Sequence, residues 1–237
     1  MKVFFVNTNQ AWGGGEKWHF ETASMLKRHG HNVAILTGIK TQLFKQSDDA
    51  GIKTIPVIIG NLSFLNPFRV HKLKQLFKSE KPDILILNLS ADLKTAGIAA
   101  VLADIKHIIY RRGNAKPVKN SATNRILFRK IVTGIIANSE ETKRSLLKNN
   151  SELFPADCIK VLYNGIDLKQ FYNQEYTPLI EKKKGTVILG SAGRLSNEKG
   201  QQYLIELAIL LKKQKLEFKL LIAGDGSMKE SLLEKCR

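Results

Sequence analysis

Cysteine is scarce. Cys158 and Cys236 are the two in 237 residues, with no metal-ligand spacing and far too little density for a disulfide scaffold, which fits a reducing compartment. Long apolar runs are missing too. The opening Met1-Lys2-Val3-Phe4-Phe5-Val6 is too short for a signal-peptide core and passes straight into Asn7-Thr8-Asn9, and no later run approaches spanning length. The expectation is a cytoplasmic protein, with peripheral contact at the inner face of an anionic membrane left open. Acid is under-represented: 21 Asp plus Glu stand against 38 Lys plus Arg, for a formal charge of +17. Such a balance selects anionic partners, whether nucleotide phosphates, anionic lipid or nucleic acid. From Ile105 to Ser139 there is no acid, yet Lys106, Arg111, Arg112, Lys116, Lys119, Arg125, Arg129 and Lys130 fall there. The run reads as a surface for an anionic acceptor or lipid head group, or as a basic loop and helix face. It contains no nucleic-acid recognition motif, and no nucleic-acid partner is expected.

With 43% hydrophobic residues the chain can bury a real core, in one large or two modest domains. Val3 to Val6 reads as a buried strand, NQAWGGGEKW as a Gly-rich turn into a helix with Phe20, Ala23 and Leu26 inward, and Val33 to Thr37 as the next strand. This strand, Gly loop, helix, strand unit implies parallel pairing, with the loop at the carboxyl edge where open α/β sheets bind ligands. The loop offers Gly13, Gly14 and Gly15 in a row instead of GxGxxG, and no acid ends the second strand, which argues against a dinucleotide site. His19 and His31 are lone histidines, read as packing or surface residues.

Lys53 to Ile59 reads as a third strand, and Asn66-Pro67 as cap and first turn of a helix through Lys78. Val70, Leu73, Leu76 and Phe77 make its apolar face amid Arg69, Lys72, Lys74 and Lys78. Such a helix packs on a core, or lies as a basic interfacial helix on a membrane. ILILNL is the fourth strand, presenting Asn88 and Ser90, and Thr95 to Ala103 is a small-residue helix. Ile108 to Tyr110 begins a strand ending in Arg111-Arg112-Gly113. Gly134 to Ala137 and Ile159 to Tyr163 are further strands, with Ser139 capping a helix between them and Asn164-Gly165-Ile166-Asp167 forming a turn.

Val187 to Gly200, VILGSAGRLSNEKG, reads as a buried strand running into a loop of small residues with Arg194 and Lys199. Glycine lets a backbone approach a ligand closely, and the two cations mark a diphosphate site. Tyr203, Leu204, Leu207, Ala208 and Leu211 recur at helical spacing, so the loop opens a helix whose amides also favour an anion. An ordinary strand-to-helix turn with solvated cations is the other reading.

These pieces carry a resemblance. WGGGEKWHFETASMLKRHGHNVAILT, KPDILILN, ANSEETKRSLL, VLYNGIDLKQF, SAGRLSNEKGQQYLIELA and LLIAGDGSMKESLLEK together make the sequence similar to the family 4 retaining glycosyltransferases, of the two-domain GT-B class. The resemblance implies an α/β fold: a GT-B-like, Rossmann-like parallel-sheet N-terminal domain over 1–168 on the acceptor side, a linker over 169–185, and the first part of a second Rossmann-like domain over 186–237 on the donor side. It implies sugar transfer from a nucleotide-sugar to an acceptor hydroxyl with retention, in cell-envelope polysaccharide or glycolipid synthesis. Donor and glycan or lipid-linked acceptor are then the partners, and neither cofactor nor metal is expected. Residue by residue, Arg194 and Lys199 would grip the donor diphosphate, and Gly14 and Gly15 would let backbone amides approach the same donor. Glu16 would have a positioning role. Asn164, Asp167, Glu198 and the Gly224-Asp225-Gly226 turn would shape the cleft. No catalytic residue is identified. Arg111 and Arg112 are candidates at a position where many relatives have histidine, and arginine, staying protonated, would bind an acidic acceptor or donor phosphate instead of acting as base. The sequence ends at Arg237 without the paired glutamates that the family's donor pocket uses, so the expectation is a fragment of a longer enzyme. The alternative is a non-catalytic α/β binding or scaffold protein derived from that family, its basic surface holding anionic lipid, glycan or partner.

Overall fold

The computed structural model describes residues 1–172, 175–181 and 183–236. The chain divides into two compact units, Met1–Ile166 and Asp167–Arg237.

The first unit is a seven-stranded, all-parallel sheet in the order β3-β2-β1-β4-β5-β6-β7. Its strands are β1 (Lys2–Val6), β2 (Asn32–Thr37), β3 (Lys53–Pro56), β4 (Ile84–Leu87), β5 (His107–Arg112), β6 (Gly134–Ala137) and β7 (Ile159–Val161). The helices are α1 (Gly14–Arg28), α2 (Gln42–Asp49), α3 (Pro67–Glu80), α4 (residues 90–101), α5 (Ala122–Lys130) and α6 (Glu140–Leu147). Strand order reverses between β1 and β4, and in open α/β sheets the crevice outside the carboxyl ends at that switch receives ligands.

Alternation along the strands builds two apolar layers. Val3, Phe5, Ile35 and Ile86 turn to one face, under α1 and α2. Phe4, Val6, Leu36, Leu85, Leu87 and Ile108 turn to the other, under α3, α4 and α5. The apolar stripe of α3, Val70, Leu73 and Phe77, is buried in that second layer, so it is not the membrane face of an interfacial helix. Asn66 caps α3 by accepting from the Phe68 and Arg69 amides at 3.0 and 3.2 Å, and Ser139 caps α6 by accepting from Thr142 N at 3.1 Å.

Several elements differ from the sequence reading. β3 stops at Pro56 on the sheet edge, where a residue without an N–H is tolerated. β7 stops at Val161, and residues 162–167 form no turn but an exposed irregular segment. α2 was not expected, nor was α5, which forms inside the acid-free run with Ser121 as cap. α4 begins before Thr95, because Asp92 Oδ2 accepts the Leu89 amide at 3.1 Å. It contains a π-helical turn, Leu93–Gly97, in which Gly97 lies against Ile131.

The second unit contains α7 (Leu168–Tyr172), β8 (Val187–Ala192), α8 (Gln201–Lys213), β9 (Phe218–Ala223) and α9 (Lys229–Lys235), with β8 and β9 parallel. Helix α7 starts at Leu168, directly after Asp167, a residue type favoured at helix starts, and runs into the expected linker 169–185. Residues 173, 174 and 182 of that linker lie outside the described residues. In α8 the buried apolar residue is Ile205, whereas Tyr203 and Leu207 are exposed. Two strands bury only one stripe of the helix, and the spacing alone did not say which. No helix among the described residues is long and apolar enough to cross a membrane.

Candidate functional site

The carboxyl edge at the β1/β4 switch gathers a polar cluster in the first unit. Helix α1 opens at Gly13, which caps without a side-chain hydrogen bond, so the amides of Gly14, Gly15 and Glu16 lie at an uncapped, positive helix end. Glu16 is buried, and its Oε1 accepts from Asn7 Nδ2 at 3.1 Å and Asn9 Nδ2 at 3.0 Å. One carboxylate thus pins the loop after β1 to the first turn of α1. Gly15 packs beside Asn88, the residue that follows β4: a Cβ there would stand 3.2 Å from Asn88 Nδ2 and 3.6 Å from Arg111 Nη1. A Cβ at Gly14 would meet open space.

Arg111, at the end of β5, completes this cluster. It is 3% exposed, its guanidinium stacks on Trp18 at 4.7 Å, and Nη1 donates a long 3.4 Å hydrogen bond to Asn88 Oδ1. Gly113 makes room for it, since a Cβ there would sit 2.5 Å from Nη1. Burial lowers its pKa to about 10, with Glu16 opposing, so it remains a cation at neutral pH and no general base. Arg112 points to the other face, as strand alternation requires. There it lies over Tyr110 and donates from Nη2 to the Lys116 carbonyl. The two arginines were equivalent in the sequence; the sheet separates them, and Arg111 alone joins the α1 loop.

Two buried ionisable groups lie behind this edge. Asp92 Oδ1 accepts from Thr8 Oγ1 at 2.5 Å, and burial pushes its carboxyl up to about 7 against the effect of that bond. His19 Nδ1 is 2.9 Å from the Gly15 carbonyl, and burial lowers its pKa to about 3. A carbonyl only accepts, so Nδ1 carries the proton of a neutral ring, and Nε2 is a buried lone pair without a partner in the described structure. His19 is a packing residue, edge-on to Phe5 and Trp18. Asp92 escaped the sequence reading. An acid opening the small-residue segment SADLKTAGIAA was the available signal, and nothing in the sequence paired it with Thr8.

The second unit carries its own loop. Gly193 N donates to the Ala223 carbonyl at 2.9 Å, Leu195 N to Asp225 O at 2.9 Å, and Met228 N to Leu195 O at 3.1 Å. Buried Gln201 donates from Nε2 to the Arg194 carbonyl at 3.0 Å. The backbone around Arg194 is therefore fixed while its side chain is exposed, as are those of Glu198 and Lys199. Lys199 ends a 3-10 turn, Asn197–Lys199. Gly200 follows with φ 69° and hands the chain to the N-terminus of α8. Gly224 and Gly226 pack so closely on the carbonyls of Gly193 and Leu195 that a Cβ at either would overlap them. A Cβ at Gly190, inside β8, would meet nothing. Asn164 lies two residues before the end of the first unit and Asp167 opens the second; both are exposed. Among the described residues no group of three His, Cys, Asp or Glu side chains is placed to hold a metal ion.

Residues 12–170, more than half of the chain, match the family model described as Glycosyltransferase Family 4. The chain belongs to this glycosyltransferase family. Residues 173–237 match a second model, Glycosyl transferases group 1. Solved structures share its fold. A glycosyltransferase from Rickettsia africae superposes with a TM-score of 0.81 at 22% identity, covering 99% of this chain and 63% of that one. Anabaena HepE, crystallised with UDP and glucose, gives 0.73 at 19% identity, covering 100% and 65%. The lipopolysaccharide outer core galactosyltransferase WaaB, in its apo form, gives 0.66 at 21% identity, covering 100% and 64%. The chain therefore spans less than two thirds of the length of these structures, and its α/β architecture is that of the GT-B class. No curated protein matches the sequence.

Proposed function

We propose that the chain serves a retaining family 4 transferase, which moves a sugar from a nucleotide-sugar donor to the hydroxyl of a glycan or lipid-linked acceptor in cell-envelope polysaccharide or glycolipid synthesis. The observation that carries this reading is the second unit's strand-to-helix loop. Its backbone is fixed by four hydrogen bonds while exposed Arg194 and Lys199 stand before the N-terminus of α8, in a chain matched by glycosyltransferase models along both units. As the glycosidic bond breaks, negative charge accumulates on the leaving diphosphate. Fixed cations and helix amides aimed there stabilise the transition state more than the ground state, without a metal.

In the first unit the uncapped end of α1, with Gly14 and Gly15, offers amides to an anionic part of a substrate. Arg111 beside it, charged and sparsely hydrogen-bonded, suits an acceptor bearing phosphate or carboxylate. A lipid-linked acceptor would bring the protein to the inner face of an anionic membrane.

Nucleotide binding tests the donor assignment. UDP, GDP or their sugar conjugates at about 100 times Kd should stabilise the folded chain by about 2.7 kcal/mol, read as a rise in thermal midpoint. Arg194→Ala and Lys199→Ala should each remove most of that rise, and lower turnover about 100- to 1,000-fold wherever transfer is measured. An undiminished rise in both variants would overturn the diphosphate role. No rise with any nucleotide, alongside retained glycan or lipid binding, would favour the non-catalytic binding protein.

A further inference from the structure

We infer that the surface formed by residues 57–68 and the first turns of α3 docks the protein on an anionic lipid bilayer. This rests on the lipid-linked acceptor proposed above and gives that reading a place on the molecule.

Four large apolar side chains within eleven residues face outward: Phe68 is 84% exposed, Ile58 79%, Leu62 70% and Leu65 65%. Scattered single apolar residues are ordinary on a surface, but such a concentration marks an interaction site. The segment is held in shape. Ser63 Oγ accepts from Gly60 N at 2.8 Å and from Arg69 Nη1 at 2.7 Å, and Asn66 caps α3. The helix has already buried Val70, Leu73 and Phe77 inward, so Phe68 is not waiting for the core of its own unit. Beside Leu65 a groove of about 300 Å³ continues the apolar surface to Ile98 and Leu102, with His71 and Lys74 at its rim.

The charge around this patch has one sign. No acid falls between Gly51 and Ser79, and the first turns of α3 carry Arg69, Lys72 and Lys74; Lys53, at the far end of β3, is paired to Glu80 at 2.6 Å and is not part of this patch. Lys94, from α4, stands 5.5 Å from the ring of Phe64. Apolar tips ringed by lysine and arginine match a bilayer interface, where the tips enter the acyl boundary while cations on flexible stems reach lipid phosphates. A second copy of this chain is disfavoured, because self-association would set these cations against each other in molecules already at +17.

Position strengthens the inference. The patch lies in the β3–α3 connection, at the carboxyl edge of the sheet. Two strand spacings, roughly 10 Å, separate β3 from β1 in that sheet. Docking there would turn the Gly15–Arg111 edge of the same unit toward the head groups, from which a lipid-linked acceptor would come.

Sedimentation of the full chain with vesicles tests this without any nucleotide. Vesicles of phosphatidylcholine with phosphatidylglycerol should bind it, less as salt rises, and pure phosphatidylcholine should bind it weakly. Leu62→Ser with Phe68→Ser should lower anionic-vesicle binding about tenfold or more while leaving the thermal midpoint unchanged. Arg69→Ala with Lys72→Ala should lower it about 25-fold, at about fivefold per charge. Arg125→Ala with Lys130→Ala, in the other acid-free run, is the comparison. A loss there equal to or greater than at Arg69 and Lys72 would overturn the assignment. So would full binding by the Leu62/Phe68 variant, or a monomer–dimer equilibrium that the Leu62/Phe68 pair abolishes in place of vesicle binding. Vesicle binding lost with the nucleotide response intact would remove the docking surface and leave the donor reading standing; the reverse pattern would do the opposite.

Discussion

Asp92 and His19 lie behind the same sheet edge and push stability in opposite directions as pH changes. Asp92 is raised from 3.8 to about 7, so between those values the folded state holds a proton that the unfolded chain has released. Stability therefore falls as pH rises through that window. His19 is lowered from 6.5 to about 3, so the folded state holds fewer protons there and stability falls as pH drops below 6.5. Where the windows overlap, the slopes oppose each other. Asp92→Asn removes one of them. Its thermal midpoint should climb more steeply than the parent's between pH 3.8 and 6.5. Thr8 and Leu89 donate to different carboxylate oxygens, and asparagine keeps an acceptor at only one of those two positions, so the variant should also be less stable by about 1–3 kcal/mol near neutral pH. An unchanged slope would mean that Asp92 is ionised throughout. Gly14, Gly15 and Glu16 were legible as a loop and helix start because their types and order state what the backbone does. Asp92 with Thr8, and Arg111 against Trp18, were not, because those pairs are far apart in the chain and only sheet registration brings them together.

At the scale of elements, loop 193–200 depends on a second turn that sequence spacing does not connect to it. Gly224 and Gly226 lie flat on the carbonyls of Gly193 and Leu195, and three backbone hydrogen bonds join the two segments. Gly224→Ala should force these segments apart and cost about 1–3 kcal/mol in chemical denaturation, with a matching loss of any nucleotide response. Gly190→Ala, whose Cβ would meet open space, should be neutral within about 0.5 kcal/mol. Equal effects would show that the close approach does not govern the loop. Caps were the readable part at this scale. Asn66-Pro67 and Ser139 act within three residues of their own position, so local sequence suffices. The π turn in α4 was not readable, because it fits Gly97 beneath Ile131 from a different segment.

Across the whole molecule, burial is uneven. The first unit has an apolar layer on each face of seven strands, whereas the described core of the second comprises Leu195, Ile205 and Leu232 with Ile222 and Met228 packed against them. Opening free energy follows buried contact, so amide exchange should be slowest in β1, β4 and β5 and markedly faster in β8 and β9. Equal protection in β8 and β1 would contradict that ranking. By itself the sequence determined that the chain builds parallel α/β units, where their glycine loops lie, and that it carries a formal charge of +17. Periodicity, turn chemistry and net charge are local or additive properties, legible without coordinates. Only the tertiary structure decided that Arg111 and not Arg112 faces the α1 loop, that Asp92 is buried against Thr8, and that α3 turns its apolar stripe inward while leaving Phe68 outside. Each of these depends on which side of a strand or helix meets a distant segment, and that is settled by packing.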